Sequence, residues 1–359
     1  MTFPKPLTEA AMLTWLRERS LDFPPLLLQA VNFEIGEGTS RLDAAITLRW
    51  RNKDYRFGVA CRALSTPKAI AGAADEARRR SRPFNLNPLV LVPYLAPVLV
   101  AALEKEEVSG LDLCGNGVVV IPGRLLVYRT GSPNRFPQSG PIKNVYRKTS
   151  SVVARVFLLR PEYESVGEVL EEVNRRGGEV TLATVSKVCS ALDNDLVIER
   201  RQAPGARTQG LRLIQPEKLL ELLENNYAQP GPERTFTGKT ELAPAELREA
   251  LAAWEKESGG RVALTGQSSV NAYAAMAREP IESFYCSGVS GLIRRLGRKI
   301  VETPRFPNVT FLETPERLVY FDRREGLTAS PIQVYLELLT GDKRDRETAE
   351  QVRRRILAR

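Results

Sequence analysis

Between residues 150 and 227, apolar side chains recur at helical spacing three times and then alternate, a pattern that predicts three helices closed by a β-hairpin. The first helix spans 151–159, with Val152, Val153, Val156, Phe157 and Leu159 on its apolar face and Pro161 as its stop. The second, 165–173, turns Val166, Val169, Leu170 and Val173 inward, and Gly177-Gly178 marks the turn after it. Thr181 is placed to N-cap a third helix over 182–193. There Val185, Val188, Cys189 and Leu192 face the core, while Ala183, Thr184, Ser186, Lys187 and Ser190 face out. Residues 196–201 and 209–214 form the two strands of a wing turned at 203–206, with a helix over 216–227 behind it. The order is that of a winged helix-turn-helix, expected as a DNA-binding domain over 150–228.

The chain before it alternates short helices with apolar strands. Residues 3–28 are expected to be largely helical, 41–50 and 55–62 adjacent strands, 69–80 a helix and 87–93 a buried strand. Residues 111–120 contain Gly115 and Gly117, which fit a tight hairpin turn. A nucleotide loop is rejected because neither G-x-G-x-x-G nor G-x-x-x-x-G-K-S/T is completed and no helix follows. Proline, glycine and polar content predicts a linker at 132–149 after a first domain of 1–131, and a second linker at 229–242. A third domain, 243–359, is expected to hold helices at 243–258, 268–277, 331–339 and 346–358. Its strands are expected at 261–264, 283–286, 299–302, 309–312 and 318–320.

A helix enters a major groove about 12 Å wide only if its outer face is slim, and the third helix has such a face. DNA contacts are therefore expected from Thr181, Thr184, Ser186, Lys187 and Ser190 on that helix. The wing adds Arg200, Arg201, Arg207, Thr208, Gln209 and Arg212, its bases set against the single acid Glu199. Lys143, Arg147 and Lys148, and the run Arg294, Arg295, Arg298 and Lys299 with Arg305, are further candidates for phosphate contact. The alternative for each of these two sets is a solvated charged face.

Composition bears on the chemistry. Fifty-two Lys and Arg against 43 Asp and Glu leave a formal charge of +9, which favours a polyanionic partner. The absence of histidine removes Ser-His-Asp and Cys-His catalysis and His-ligated metals together. Cys61, Cys114, Cys189 and Cys286 stand singly, without Cys-x-x-Cys spacing, and are expected as small buried residues. No cofactor and no metal ligand set is expected. The longest apolar run, 89–103, is broken by Pro93 and Pro97 and is too short to cross a bilayer. The start, Met1-Thr-Phe-Pro-Lys-Pro6, lacks the apolar core of a signal peptide, so a cytoplasmic location away from membranes is expected.

The arrangement of strands and helix over 41–93 resembles the core of restriction-endonuclease-like proteins. In these, an Asp on one strand and an acid-x-Lys on the next hold a divalent metal beside a phosphodiester. Asp43 stands where the first acid belongs, and Ala60-Cys61-Arg62 where acid-x-Lys belongs. Alanine offers no oxygen to a hard cation, and a guanidinium stays charged at any working pH. A nuclease-like fold without nuclease chemistry is expected. The alternative is a migrated metal site using Asp43 with Glu34 or Glu37.

Leu111-Asp-Leu-Cys-Gly-Asn116 resembles the LDLAGN signature of AbiEi-like regulators, the antitoxins of type IV toxin–antitoxin pairs. Thr184-Val-Ser-Lys-Val188, Ala263-Leu-Thr-Gly266 and Ala329-Ser-Pro-Ile-Gln-Val-Tyr-Leu-Glu-Leu-Leu339 follow in the family's order, so the likeness covers roughly residues 40 to 359. The resemblance implies a DNA-binding transcriptional repressor, often encoded beside a nucleotidyltransferase-like toxin, with no catalytic role for this chain.

The expected fold class is a mixed α/β, α+β multidomain protein: a restriction-endonuclease-like domain, a winged helix-turn-helix and a C-terminal α/β domain. The expected function is sequence-specific binding of double-stranded DNA, as a homodimer on an inverted repeat or by bending the site, with a cognate toxin as a candidate partner. The alternatives are a metal-dependent nuclease or DNA-processing enzyme, and an antitoxin-type protein-interaction module.

Overall fold

The computed structural model describes residues 7–18, 23–35, 41–140, 144–202, 209–275 and 281–358, the side chains of Arg17, Glu34 and Gln138 excepted. It shows a mixed α/β chain whose contacts divide it into two units, residues 1–143 and 144–359.

In the first unit, apolar strands, the central ones buried on both faces, build a seven-stranded sheet in sequence order: β1 (Leu27–Ile35), β2 (Leu42–Trp50), β3 (Lys53–Cys61), β4 (Asn87–Val92), β5 (Ser109–Asp112), β6 (Gly117–Ile121) and β7 (Leu125–Arg129). Neighbours run antiparallel except β3–β4 and β4–β5, which are parallel. Parallel neighbours need a crossover, and helices α2 (Pro67–Ser81) and α3 (Pro97–Lys105) supply the two, after α1 (Glu9–Glu18). Thr66 starts α2 by accepting the Ala69 N–H at 3.3 Å. Alternate residues of β4 serve opposite cores: Leu89 and Leu91 join Met12 and Leu16 of α1, whereas Val90 and Val92 join Ala73, Ala74 and Ala77 of α2.

One expectation for this unit changes. Residues 27–35 are a strand, with Val31 opposite Ile46 and Phe33 opposite Ala44, so pairing with β2 overrides the helical reading of 3–28 beyond α1. The apolar run 89–103 divides around Pro93 and Pro97 into β4 and α3, because Pro97 fits the first turn of a helix and cannot continue a central strand.

The second unit begins with α4 (Ser151–Leu159), β8 (Glu162–Tyr163), α5 (Val166–Arg175), α6 (Leu182–Asn194), β9 (Ile198–Arg201), β10 (Gly210–Leu213) and α7 (Pro216–Asn225). Its small sheet has the order β8-β10-β9 and is antiparallel throughout. There follow β11 (Arg234–Thr240), α8 (Pro244–Ser258), β12 (Val262–Leu264), α9 (Gly266–Ser269), β13 (Glu282–Cys286), α10 (Val289–Leu296), β14 (Ile300–Glu302), β15 (Val309–Glu313), α11 (Pro331–Leu338) and α12 (Lys343–Leu357). A second sheet has the order β12-β13-β15-β11-β14, with only β13 and β15 parallel.

One apolar core runs from Val152, Val156 and Phe157 of α4 through Val185 and Leu192 of α6 to Ile332, Leu336, Val352 and Ile356 of α11 and α12. Residues 150–228 and the last two helices therefore share a core. Within 229–242, expected as a linker, β11 lies between β15 and β14, because Phe236, Gly238 and Thr240 alternate inward beneath the proline-rich start of the segment. In the expected linker 132–149, Phe136 packs into the first unit's core and Val145 into the second's. The strand expected at 318–320 is a 3-10 turn, Arg317–Val319, since four consecutive apolar residues, 318–321, are all buried without a strand partner. The helix expected at 268–277 is shorter: α9 leads into a 3-10 turn at Val270–Ala272, and residues 276–277 lie outside the described ones. Helix α10 was not expected; Val289, Leu292 and Leu296 are its buried stripe.

Candidate nucleic-acid interface

Helix α6 starts where Thr181, in extended backbone, accepts the Thr184 N–H at 3.3 Å, and the two threonine hydroxyls lie 3.1 Å apart. The turn before it is pinned to the rest of the unit. Glu179 pairs with both Arg261 and Arg317, and Arg176 with Asp322. Val185, Val188, Cys189 and Leu192 are buried, as the periodicity predicts. Burial pushes the Cys189 thiol up to about 12, so it packs as an unreactive neutral group.

The outer face is open among the described residues of this unit. Thr181, Leu182, Ala183, Ser186, Lys187 and Ser190 are exposed and Thr184 half-buried. Not all of its hydroxyls are available. Ser190 donates to the Ser186 carbonyl at 2.9 Å and accepts from Arg200 Nη2 at 3.0 Å, and Thr181 is engaged at the cap. Ser186 and Lys187 bond no described residue through their side chains, which makes them the freest groups of the face. Leu182, 54% exposed at the first turn, is an apolar contact that sequence reasoning passed over as a helix start.

The small sheet carries Arg200, Arg201 and Arg212, with Gln209 just before β10 and Arg200 against α6, but these bases meet more than the one acid expected. Arg201 pairs with Glu199 at 2.5 Å, Arg212 with Glu162 at 3.1 Å, and Arg200 lies 3.7 Å from Asp193. Glu162 arrives because β8, a strand with only two residues, registers it opposite Arg212. Arg212 and Glu162 are both exposed, and a pair of this kind is weak enough for a phosphate to replace the carboxylate, whereas Arg201 is exposed but its partner Glu199 is half-buried. Arg207 and Thr208 lie outside the described residues, as does Lys143.

Arg147 is exposed without an ion pair among the described residues, and Lys148 lies 3.9 Å from Glu316. On α10, Arg295 is held by Glu257 at 2.8 and 2.9 Å, which raises its guanidinium pKa and lowers that of the carboxyl, hydrogen bonding being the main cause. Arg294, Arg298 and Lys299 are exposed and make no such pair among the described residues. Phe306, 90% exposed next to Arg305, went unnoticed in the sequence, although its setting between Pro304 and Pro307 marks a projecting loop.

In the first unit, the nuclease-like positions are occupied by structural bonds. Asp43 Oδ2 accepts the Cys61 N–H at 2.8 Å across β2 and β3. Arg62 pairs with Glu76, which also holds Arg80, and approaches Glu9 at 3.9 Å. Glu37 and the Glu34 side chain lie outside the described residues. No described cluster of three Cys, Asp or Glu side chains is placed to share a metal ion.

The Leu111–Asn116 motif has a structural role that its spacing did not reveal. Asp112, 1% exposed, accepts the Leu95, Cys114 and Asn116 N–H groups at 2.8, 2.8 and 2.7 Å, and the Asn116 side-chain amide at 2.8 Å. Asn116 in turn accepts the Ser132 N–H at 2.8 Å. Burial raises the Asp112 pKa while these bonds oppose the shift. Gly117 follows with φ +156°, where a Cβ would meet the Gly110 carbonyl at 2.2 Å, so the β5–β6 hairpin needs a glycine there.

The chain matches no family model, no curated protein and no solved structure. No described helix is long and apolar enough to cross a membrane.

Proposed function

We propose that this chain is a sequence-specific, double-stranded-DNA-binding transcriptional regulator. Residues 150–228 act as a winged helix-turn-helix, α6 reads bases, and β9 and β10 form the wing. The observation that carries the reading is the open, slim face of α6, tied to the wing by the Arg200–Ser190 bond, with Ser186 and Lys187 unengaged. Lys187 supplies a bidentate-capable donor for guanine and Ser186 a hydroxyl for either base type. The wing arginines reach phosphates, Arg212 giving up the exposed Glu162 carboxylate, and the basic residues of α10 and of 147–148 extend the phosphate-contacting surface. The net charge of +9 and the sequence likeness to AbiEi-like regulators point the same way.

The first unit serves as a scaffold. Its strand order around β2–β5 suits a restriction-endonuclease-like core, but the Asp43 carboxylate is engaged by Cys61 and Arg62 is tied to Glu76. Plasmid incubated with Mg²⁺ or Mn²⁺ is expected to stay intact; cleavage lost in Asp43→Ala would replace the regulator with a nuclease.

The direct test is selection of bound fragments from random duplex DNA. An enriched motif, inverted-repeat if the protein acts as a dimer, is the expected outcome. Absence of both enrichment and gel retardation at low salt would remove DNA binding and favour a protein-interaction module, such as an antitoxin that acts by contact.

A further inference from the structure

A cleft of about 110 Å³ opens within the second unit, where the segment before α4 meets the loop after α7. That volume holds several water molecules or a ligand of a few heavy atoms. Its walls include Tyr146, Arg147, Lys148, Arg155, Tyr227 and Glu316. Three of these are cations and one is an acid.

Arg155 is the unusual member. It sits on α4, 1% exposed, where an apolar residue would fit the helix's otherwise apolar inner face. Its Nη1 donates to Gln333 Oε1 at 2.8 Å and approaches the Leu318 carbonyl at 3.4 Å, whereas its Nε has no partner. Burial lowers its pKa to about 10, which still leaves it charged at neutral pH. Two buried carboxyls act on it: Glu337 is held by the Gly266 N–H at 2.6 Å and Gln333 Nε2 at 2.7 Å, with burial raising its pKa to about 7, and Asp322 is paired with Arg176 and Arg324. A buried guanidinium is costly unless a counter-charge completes it. Glu316 does not complete it, since its nearest cation is Lys148.

The cleft is also wired to α6. The Tyr146 hydroxyl donates to Asp195 Oδ2 at 2.6 Å, and Asp195 is the residue that closes the C-terminal end of α6. Lys218 Nζ holds the carbonyl of the same residue at 2.6 Å.

We propose that this cleft binds a small oxyanion, a carboxylate or phosphate group, between Arg155 and Arg147, and that occupancy alters the Tyr146–Asp195 hold on α6. The oxyanion lies against the Arg155 guanidinium that lines the cleft and offsets the excess of positive charge, and Tyr146 carries its presence to the helix end. The consequence for DNA affinity rests on the function proposed above; the binding site itself does not.

The test uses the full chain, with inorganic phosphate, acetate and succinate titrated at constant ionic strength against sodium chloride. At least one oxyanion is expected to raise the melting temperature saturably by about 4 °C or more, and Arg147→Ala, an exposed substitution that spares the fold, is expected to lose most of that rise. No saturable rise, or an equal rise in Arg147→Ala, overturns the site. Amide exchange at residues 189–197 is expected to slow on adding the active anion. Tyr146→Phe, which keeps the ring and removes the hydroxyl, is expected to abolish that slowing; unchanged exchange in the parent protein overturns the coupling. If the anion binds and no duplex does, the DNA-binding proposal fails and the site stands.

Discussion

Two polar motifs on this chain invite a functional reading, and the structure treats them oppositely. Asp112 and Asn116 direct their polar atoms at their own backbone, gathering the start of α3, the β5–β6 turn and the segment after β7. The outer face of α6 keeps Ser186 and Lys187 turned toward solvent, with only its end hydroxyls engaged. Polar side chains thus close a fold in one place and leave a surface open in the other. What separates them is whether their hydrogen-bond partners lie within the chain.

The sharpest way to break this contrast is Asp112→Ala. It strands three buried N–H groups and the Asn116 amide, so the first unit is expected to lose about 3–5 kcal/mol in urea unfolding. A loss under about 1 kcal/mol would show that the clasp is not structural. Next in size is a pH effect in the second unit. Glu337 keeps its proton in the folded chain up to about pH 7 but loses it from 4.5 upward when unfolded, so its contribution to stability falls as pH rises through that window. Glu337→Gln is therefore expected to gain on the parent, by up to about 3 kcal/mol, between pH 5 and pH 8. Parallel stability curves for the two would contradict the shift.

On the open face the expected effects concern binding rather than stability. Lys187→Ala is expected to cut discrimination between the selected site and random duplex by about tenfold, on the scale of one lost base contact, with stability changed by less than about 0.5 kcal/mol. Arg201→Ala should weaken both duplexes alike and reduce the salt slope by about one phosphate. Equal effects of the two substitutions on specific and random DNA would erase the division between reader and wing.

Local physics was legible in the sequence. The span 151–159, the Thr181 cap and the four buried residues of α6 follow from helical periodicity and capping, which act within a few residues. Long-range partners were not. Glu162 and Asp193 reach the wing arginines through a two-residue strand and a helix end, too short or too distant to leave a pattern. The burial of Arg155 left no local mark either, since its partner Gln333 stands on α11. Strand β11 hid behind Pro230 and Pro232, which signalled a linker although Phe236, Gly238 and Thr240 alternate just beyond. In β2 and β3, the sequence singled out Asp43 and Arg62, but did not show that Cys61 and Glu76 engage them.

The measurement that bears most directly on the central claim is fluorescence anisotropy of a selected duplex and a scrambled one across a salt series, with the parent protein and Lys187→Ala. Tight binding of the selected duplex that weakens steeply with salt, and a gap between the duplexes that narrows in Lys187→Ala, is the predicted result. Indifference to sequence and salt, with Lys187→Ala matching its parent, would mean that the face of α6 meets something other than DNA.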